Sequence, residues 1–144
     1  MDKKFYIAAN WKMNASLSFI NDYFSFFDSN AENPNEMIIC PPDIYLQSLI
    51  KTAPNFIKTG AQNISSNNAG AYTGECSGEM LADNSVQYVI IGHSERRQYH
   101  QESNEDIKLK LLKAIDSDIN PILCIGESKA VSYTHLTLPT TPYV

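Results

Sequence analysis

The sequence has 144 residues, enough for one domain with a hydrophobic core, and its 43% hydrophobic and 19% charged content is ordinary for a globular protein. The formal net charge of −5 argues against nucleic acid or an anionic membrane as the main partner. The three cysteines are widely spaced and form no ligand pattern, which predicts no zinc site. No apolar stretch is long enough to span a bilayer, so we expect a cytoplasmic protein.

Short apolar runs alternate with helical patterns along the chain. The predicted strands are, in order, residues 5–9, 37–40, 57–61, 88–91 and 121–125. The predicted helices are residues 17–28, 44–52, 79–82 and 103–115. Asp43 is placed to cap the second helix, and Ser103 with Asp106 resembles a capping box for the last one. Residues 30–35 and 63–78 are predicted loops, and the second of these is unusually long.

This succession of strands and helices predicts a parallel α/β sheet. The strands are short and apolar throughout, without the alternation of apolar and polar residues that a half-exposed strand shows, as in sheets covered on both faces. Two architectures satisfy that pattern, a doubly wound sheet and a (β/α) barrel. Residues 10–14, which follow the first strand, contain no glycine, whereas a nucleotide-binding doubly wound sheet usually has a glycine-rich turn there. Polar residues at the ends of several strands favour the barrel: Asn10, Lys12, Asp43, Gln62, Asn63, His93 and Glu127.

An ordered set of motifs resembles the triosephosphate isomerase family. The motifs are AANWKMN at 8–14, CPP at 40–42, GAQN at 60–63, GAYTGE at 70–75, GEML at 78–81, IIGHSERR at 90–97 and LCIGE at 123–127. The resemblance covers residues 4 to about 128. It implies that residues 1–128 form the first five strands of an eight-stranded (β/α) TIM barrel, incomplete as written.

Residues 129–144 do not fit this pattern. From residue 130 onward there is no charged residue, and prolines and β-branched residues stand where a barrel would have a helix. We therefore predict that this segment is a non-family tail, an artefact such as a frameshift or a cloning scar would produce.

The resemblance implies that the protein interconverts dihydroxyacetone phosphate and D-glyceraldehyde 3-phosphate through an enediolate, in glycolysis and gluconeogenesis, without cofactor or metal. His93 would be the electrophile, helped by a short helical turn that Ser94 would cap. Lys12 would provide electrostatic stabilisation, and both Asn10 and Lys12 would bind substrate. Glu95 and Ser94 would support them. Taken alone, each of these residues has an ordinary structural explanation; the surrounding motifs give them their roles.

The resemblance further implies a homodimer, in which Thr73, Gly74 and Glu75 brace the neighbouring subunit's active site. The family's catalytic glutamate base follows the sixth strand and has no counterpart here, so we predict that this fragment alone is inactive. Two alternatives stay open: a different phosphate-binding barrel enzyme, and a non-catalytic flavodoxin-like α/β binding module.

Overall fold

A computed structural model of the chain describes residues 4–27 and 35–126. Five parallel strands form one sheet: β1 (Tyr6–Asn10), β2 (Glu36–Cys40), β3 (Ile57–Ala61), β4 (Tyr88–Ile91) and β5 (Asn120–Leu123). Each strand pairs with the next one in the chain, and within the described residues the order never reverses. A doubly wound sheet requires such a reversal, whereas sequential pairing is the arrangement of a curling (β/α) barrel. The fold is therefore the N-terminal part of such a barrel.

Helices occupy each connection between strands: α1 (Leu17–Ser25), α2 (Leu46–Thr52), α3 (Gly78–Asp83), α4 (Ser94–Tyr99) and α5 (Asn104–Asp116). Serine side chains cap three of them by accepting a hydrogen bond from the backbone N–H three residues ahead: Ser16, Ser77 and Ser103. The predicted capping box is confirmed, because Ser103 and Asp106 each bond the other's backbone N–H.

The predicted cap at Asp43 is wrong. Asp43 is the first residue of a 3₁₀ turn, Asp43–Tyr45, and α2 begins only at Leu46, without a side-chain cap. The cause is Pro42, whose extended backbone makes it the residue that precedes the turn, so Asp43 already lies inside it.

The strand predictions at the two ends of the sheet differ from the structure by small shifts. β1 runs one residue later than predicted, and β5 begins at Asn120 and ends at Leu123. The end of helix α1 is at Ser25. Asp28, Glu127 and the segments 30–34 and 129–144 lie outside the described residues, so the prediction for the tail stays a prediction.

The sheet has apolar clusters on both faces. Two clusters lie between the strands and the helices, one around Ile20, Phe24 and Leu49 and the other around Val89 and Ile107. A third, formed by Ile38, Cys40 and Ile90, lies on the opposite face, which is the inside of the curled sheet.

Gly60 on β3 is packed against this inner cluster, and its lack of a side chain is required there. A Cβ at residue 60 would lie 2.4 Å from the Cys40 Sγ and 3.3 Å from the Ile38 side chain. Cys40 is fully buried, so its sulfur has little room to move away from the added carbon.

We expect Gly60→Ala to destabilise the chain by about 1–3 kcal/mol, as overpacking of a close-packed core does. Urea denaturation measures the loss. Gly126→Ala is the matched control, because a Cβ there meets no atom of the described residues within 4 Å. Adding Cys40→Ala to Gly60→Ala removes the clashing sulfur, so part of the loss should be recovered. Equal stability of the two glycine variants would contradict this interpretation.

Candidate active site

A pocket of about 330 Å³ opens at the carboxyl ends of the strands. It brings together residues that follow β1, β3 and β4, because parallel strands place those ends at one edge. Its lining consists of Asn10, Lys12, Met13, Gln62, His93, Glu95, Arg96, Tyr99 and His100. Four of the predicted site residues, Asn10, Lys12, His93 and Glu95, thus share one cavity. The roles given to them by resemblance stay predictions at this point.

Lys12 has a strained backbone. Its φ of +53° lies in the left-handed region, which costs a residue with a Cβ about 1–2 kcal/mol. Side chains hold both of its peptide groups. The Lys12 N–H donates to Asn10 Oδ1 at 2.9 Å, and the Lys12 carbonyl accepts from Gln62 Nε2 at 2.8 Å. This bend directs the Lys12 side chain into the pocket rather than along the strand.

The Lys12 ammonium contacts a carboxylate across the pocket. Lys12 Nζ lies 2.6 Å from Glu95 Oε1, and the two side chains are 51% and 44% exposed. The hydrogen bond from Lys12 is the main reason that the pKa of Glu95 lies below its ordinary value. Because both groups remain in contact with water, the pair contributes little to folding stability. Its effect is to hold the ammonium at the pocket.

His93 is oriented by the start of α4. Its Nδ1 accepts a hydrogen bond from the Glu95 backbone N–H at 3.3 Å, which places the proton of the neutral ring on Nε2. Nδ1 also lies 3.6 Å from Glu95 Oε2. His93 therefore presents an N–H donor from its other nitrogen.

The expectation that Ser94 caps α4 is wrong. His93 is itself the capping residue, and Ser94 is the first residue of the helix. Gly92, with φ +71°, turns the chain directly after β4 and leaves His93 extended ahead of the helix. The supporting role of Ser94 stays a prediction.

A buried ionic cluster forms the wall behind the pocket. Glu102 Oε1 lies 2.5 Å from Arg96 Nε and 2.6 Å from Lys110 Nζ, and Lys110 also donates to Asn63 Oδ1 at 2.8 Å. The Glu102 and Lys110 side chains are each 7% exposed. Burial by itself would raise the pKa of Glu102, but hydrogen bonds from Lys110 and Arg96 outweigh it, and the pKa is lowered. Glu102 lies between α4 and α5, and no local pattern in the sequence predicts its contacts.

The predicted interface residues do not line this pocket. Thr73, Gly74 and Glu75 lie in the exposed loop between β3 and α3. Gly74 has φ +91°, and the Glu75 N–H donates to the Tyr72 carbonyl at 3.1 Å, which shapes the tip as a turn. Tyr72 is 48% exposed.

The family model described as triosephosphate isomerase matches residues 5–140 of this sequence. The chain belongs to the triosephosphate isomerase family. Similar proteins named triosephosphate isomerase occur in Shewanella woodyi, 44% identical over 131 residues, and in Natranaerobius thermophilus, 43% identical over 126 residues. The first alignment covers 85% of this chain and 50% of the relative, and the second covers 86% and 49%. A Shewanella baltica relative of the same name is 42% identical, again over half its length.

The chain thus spans about half the length of the curated relatives it matches. The family match continues beyond residue 128, where we predicted that it ends, into residues that the structure does not describe. Across residues 4–27 and 35–126, no helix is long and apolar enough to cross a membrane. The same residues contain no group of three or more His, Cys, Asp or Glu side chains that could hold a metal ion.

We expect Glu102→Gln to lower the free energy of unfolding by about 3–5 kcal/mol at neutral pH, because it leaves the buried Lys110 ammonium and the partly buried Arg96 guanidinium without their carboxylate. The folded pKa of Glu102 is depressed, so its stabilisation is fully present above the unfolded pKa and is lost as the pH falls through the folded value. The difference between wild type and variant should therefore shrink below about pH 4.5.

Denaturant unfolding across that pH range measures this difference. Glu105→Gln is the matched control, since Glu105 is 69% exposed and its pair with Lys108 lies at the surface. A Glu102→Gln variant as stable as the control, or a difference that does not change with pH, would contradict the assignment.

Proposed function

We propose that this chain supplies half of an isomerase active site that interconverts dihydroxyacetone phosphate and D-glyceraldehyde 3-phosphate, a step of glycolysis and gluconeogenesis. The observation that carries the proposal is the convergence of three different groups on one pocket. These are the Lys12 ammonium, the Asn10 side-chain amide and the Nε2–H of a neutral His93. The name shared by the relatives gives independent support.

The reaction moves a proton between adjacent carbons through an enediolate, so negative charge develops on two oxygens. A neutral His93 stabilises that charge by donating a hydrogen bond from its Nε2–H. Lys12 attracts both the phosphate and the developing charge. Asn10 uses its Oδ1 to accept from the Lys12 N–H, which leaves its NH₂ group to donate to a substrate oxygen. This chemistry requires neither a metal nor an organic cofactor.

A base for the carbon-bound proton is the remaining requirement. Among the described residues that line the pocket, Glu95 is the only carboxylate. Its Oε1 is held by Lys12 and its pKa is lowered, so it is a weak base and a poor candidate. We therefore propose that the base comes from outside these residues and that the 144-residue chain by itself is inactive.

The experiment joins residues 1–126 to the complementary half of the Shewanella woodyi relative and assays triose phosphate isomerisation. We expect activity from the joined protein and none from the 144-residue chain. Lys12→Met and His93→Gln should each lower kcat/KM by about 100-fold or more, the effect of removing one charge-stabilising group.

Lys108→Met is the matched control for Lys12→Met, because Lys108 is exposed on α5 and pairs at the surface with Glu105. It should retain wild-type kinetics. A joined protein that is folded by circular dichroism but inactive would overturn the proposed function. So would a His93→Gln variant with undiminished kcat/KM.

We further propose that the active protein is a homodimer held by the loop that contains Thr73, Gly74 and Glu75. Two features support this. Residues 68–75, the tip of the loop, are exposed in one chain, and the pocket rim carries the apolar side chains of Met13 and Tyr99, which are 94% and 70% exposed. A partner loop seated on that rim would cover them.

Sedimentation of the joined protein tests the dimer. We expect twice the chain mass for wild type, and a shift toward monomer with lower activity for Thr73→Arg, because a bulky charge would enter the interface. Ser25→Arg, at the exposed end of α1, is the control and should remain dimeric. A wild-type protein that sediments as a monomer while active would contradict the proposal.

We place the protein in the cytoplasm. The support is that Cys40, Cys76 and Cys124 are all free thiols, as is usual in a reducing compartment.

A further inference from the structure

The strained backbone at Lys12 needs an outside constraint, because a lysine relaxes readily from the left-handed region to ordinary conformations. Relaxation would rotate the peptide groups on both sides of the Lys12 Cα and redirect its side chain. Asn10 restrains the N–H side of the residue. The carbonyl side depends on a residue fifty positions away in the sequence.

Gln62 provides that restraint with a single nitrogen. Its Nε2 donates to the Lys12 carbonyl at 2.8 Å and to the Cys40 carbonyl at 2.9 Å. The Cys40 carbonyl also accepts from the Trp11 N–H at 3.0 Å, so it ties the residue before Lys12 to the end of β2. Gln62 itself follows Ala61, the fully buried last residue of β3. The Lys12 carbonyl is therefore anchored to the ends of two neighbouring strands.

We infer that Gln62 is a positioning residue that fixes the Lys12 ammonium at the anion-binding end of the pocket by holding the Lys12 backbone in its left-handed conformation. The inference rests on the proposed function for the role of Lys12. Glutamine suits the task because one NH₂ group has two N–H donors for two carbonyls. A methionine of similar length would fill the space and donate neither hydrogen bond.

Isomerase kinetics of the joined protein give the first test. Gln62→Met should lower kcat/KM about tenfold, the effect of misplacing one charge-stabilising group without removing it. Gln62→Asn keeps the NH₂ group on a shorter side chain and should lie between wild type and Gln62→Met. Gln87→Met is the matched control, because Gln87 is exposed and precedes β4 at the opposite end of the sheet. It should keep wild-type kinetics.

A double-mutant cycle separates positioning from general destabilisation. The readout is binding of inorganic phosphate by phosphorus NMR, which needs no turnover. Gln62→Met should weaken phosphate binding severalfold when Lys12 is present and leave it unchanged in a Lys12→Met background. A purely structural role would give the same loss in both backgrounds and would overturn the inference. Equal phosphate binding by Gln62→Met and Gln87→Met would do so as well.

The two proposals fail in different ways. A wild-type joined protein that is folded but inactive refutes the isomerase function, while the phosphate cycle still reports on Gln62. An active wild type with an equally active Gln62→Met variant refutes the positioning role alone. If Gln62→Met does not fold, Gln62→Asn is used to test the positioning role. Wild-type kinetics and wild-type phosphate binding in Gln62→Asn would then refute the inference.

Discussion

The site depends on the parallel register of neighbouring strands. β1 and β2 pair from their first residues to their last, so Asn10 and Cys40 end side by side. Because all five strands run in the same direction, the residues that follow β1, β3 and β4 meet at one edge of the sheet. The Cys40 carbonyl at that edge accepts from both Trp11 and Gln62. A change of register by one residue would move these groups out of reach of one another.

Local signals in the sequence were sufficient to predict a parallel α/β sheet, whereas the choice of a (β/α) barrel over a doubly wound sheet rested mainly on the family resemblance. Short apolar runs without alternation indicate strands covered on both faces, and β3 and β4 lie where that pattern predicts them. The Ser103 and Asp106 spacing predicts a helix start that depends only on neighbouring residues. The clustering of Asn10, Lys12 and His93 follows from strand direction alone, once the strands are known to be parallel.

The details that were missed depend on backbone angles or on distant partners. Asp43 and Ser94 both have the right residue type for a cap, but the preceding Pro42 and Gly92 shift each helical turn by one residue. The contacts of Gln62 with Lys12 and of Lys12 with Glu95 span 50 and 83 positions. Hydrophobic periodicity does not predict where side chains point when their partners are so far apart in the sequence. The sequence also contains no pattern that predicts the Glu102 cluster, because its charged residues resemble those of an ordinary solvent-exposed helix face.

The Lys12–Glu95 pair and the Glu102 cluster differ in the free energy that is needed to separate their charges. Lys12 and Glu95 are both about half exposed, and water weakens a pair of that kind, so an incoming anion can take the ammonium from Glu95 at little cost. Glu102 and Lys110 are buried, and separating them would leave a charge without its partner in the interior. The pocket therefore combines a cation, Lys12, that can exchange partners with a wall whose ion pairs stay together. Gln62 is compatible with both requirements, because its hydrogen bond goes to the Lys12 backbone carbonyl and not to the ammonium.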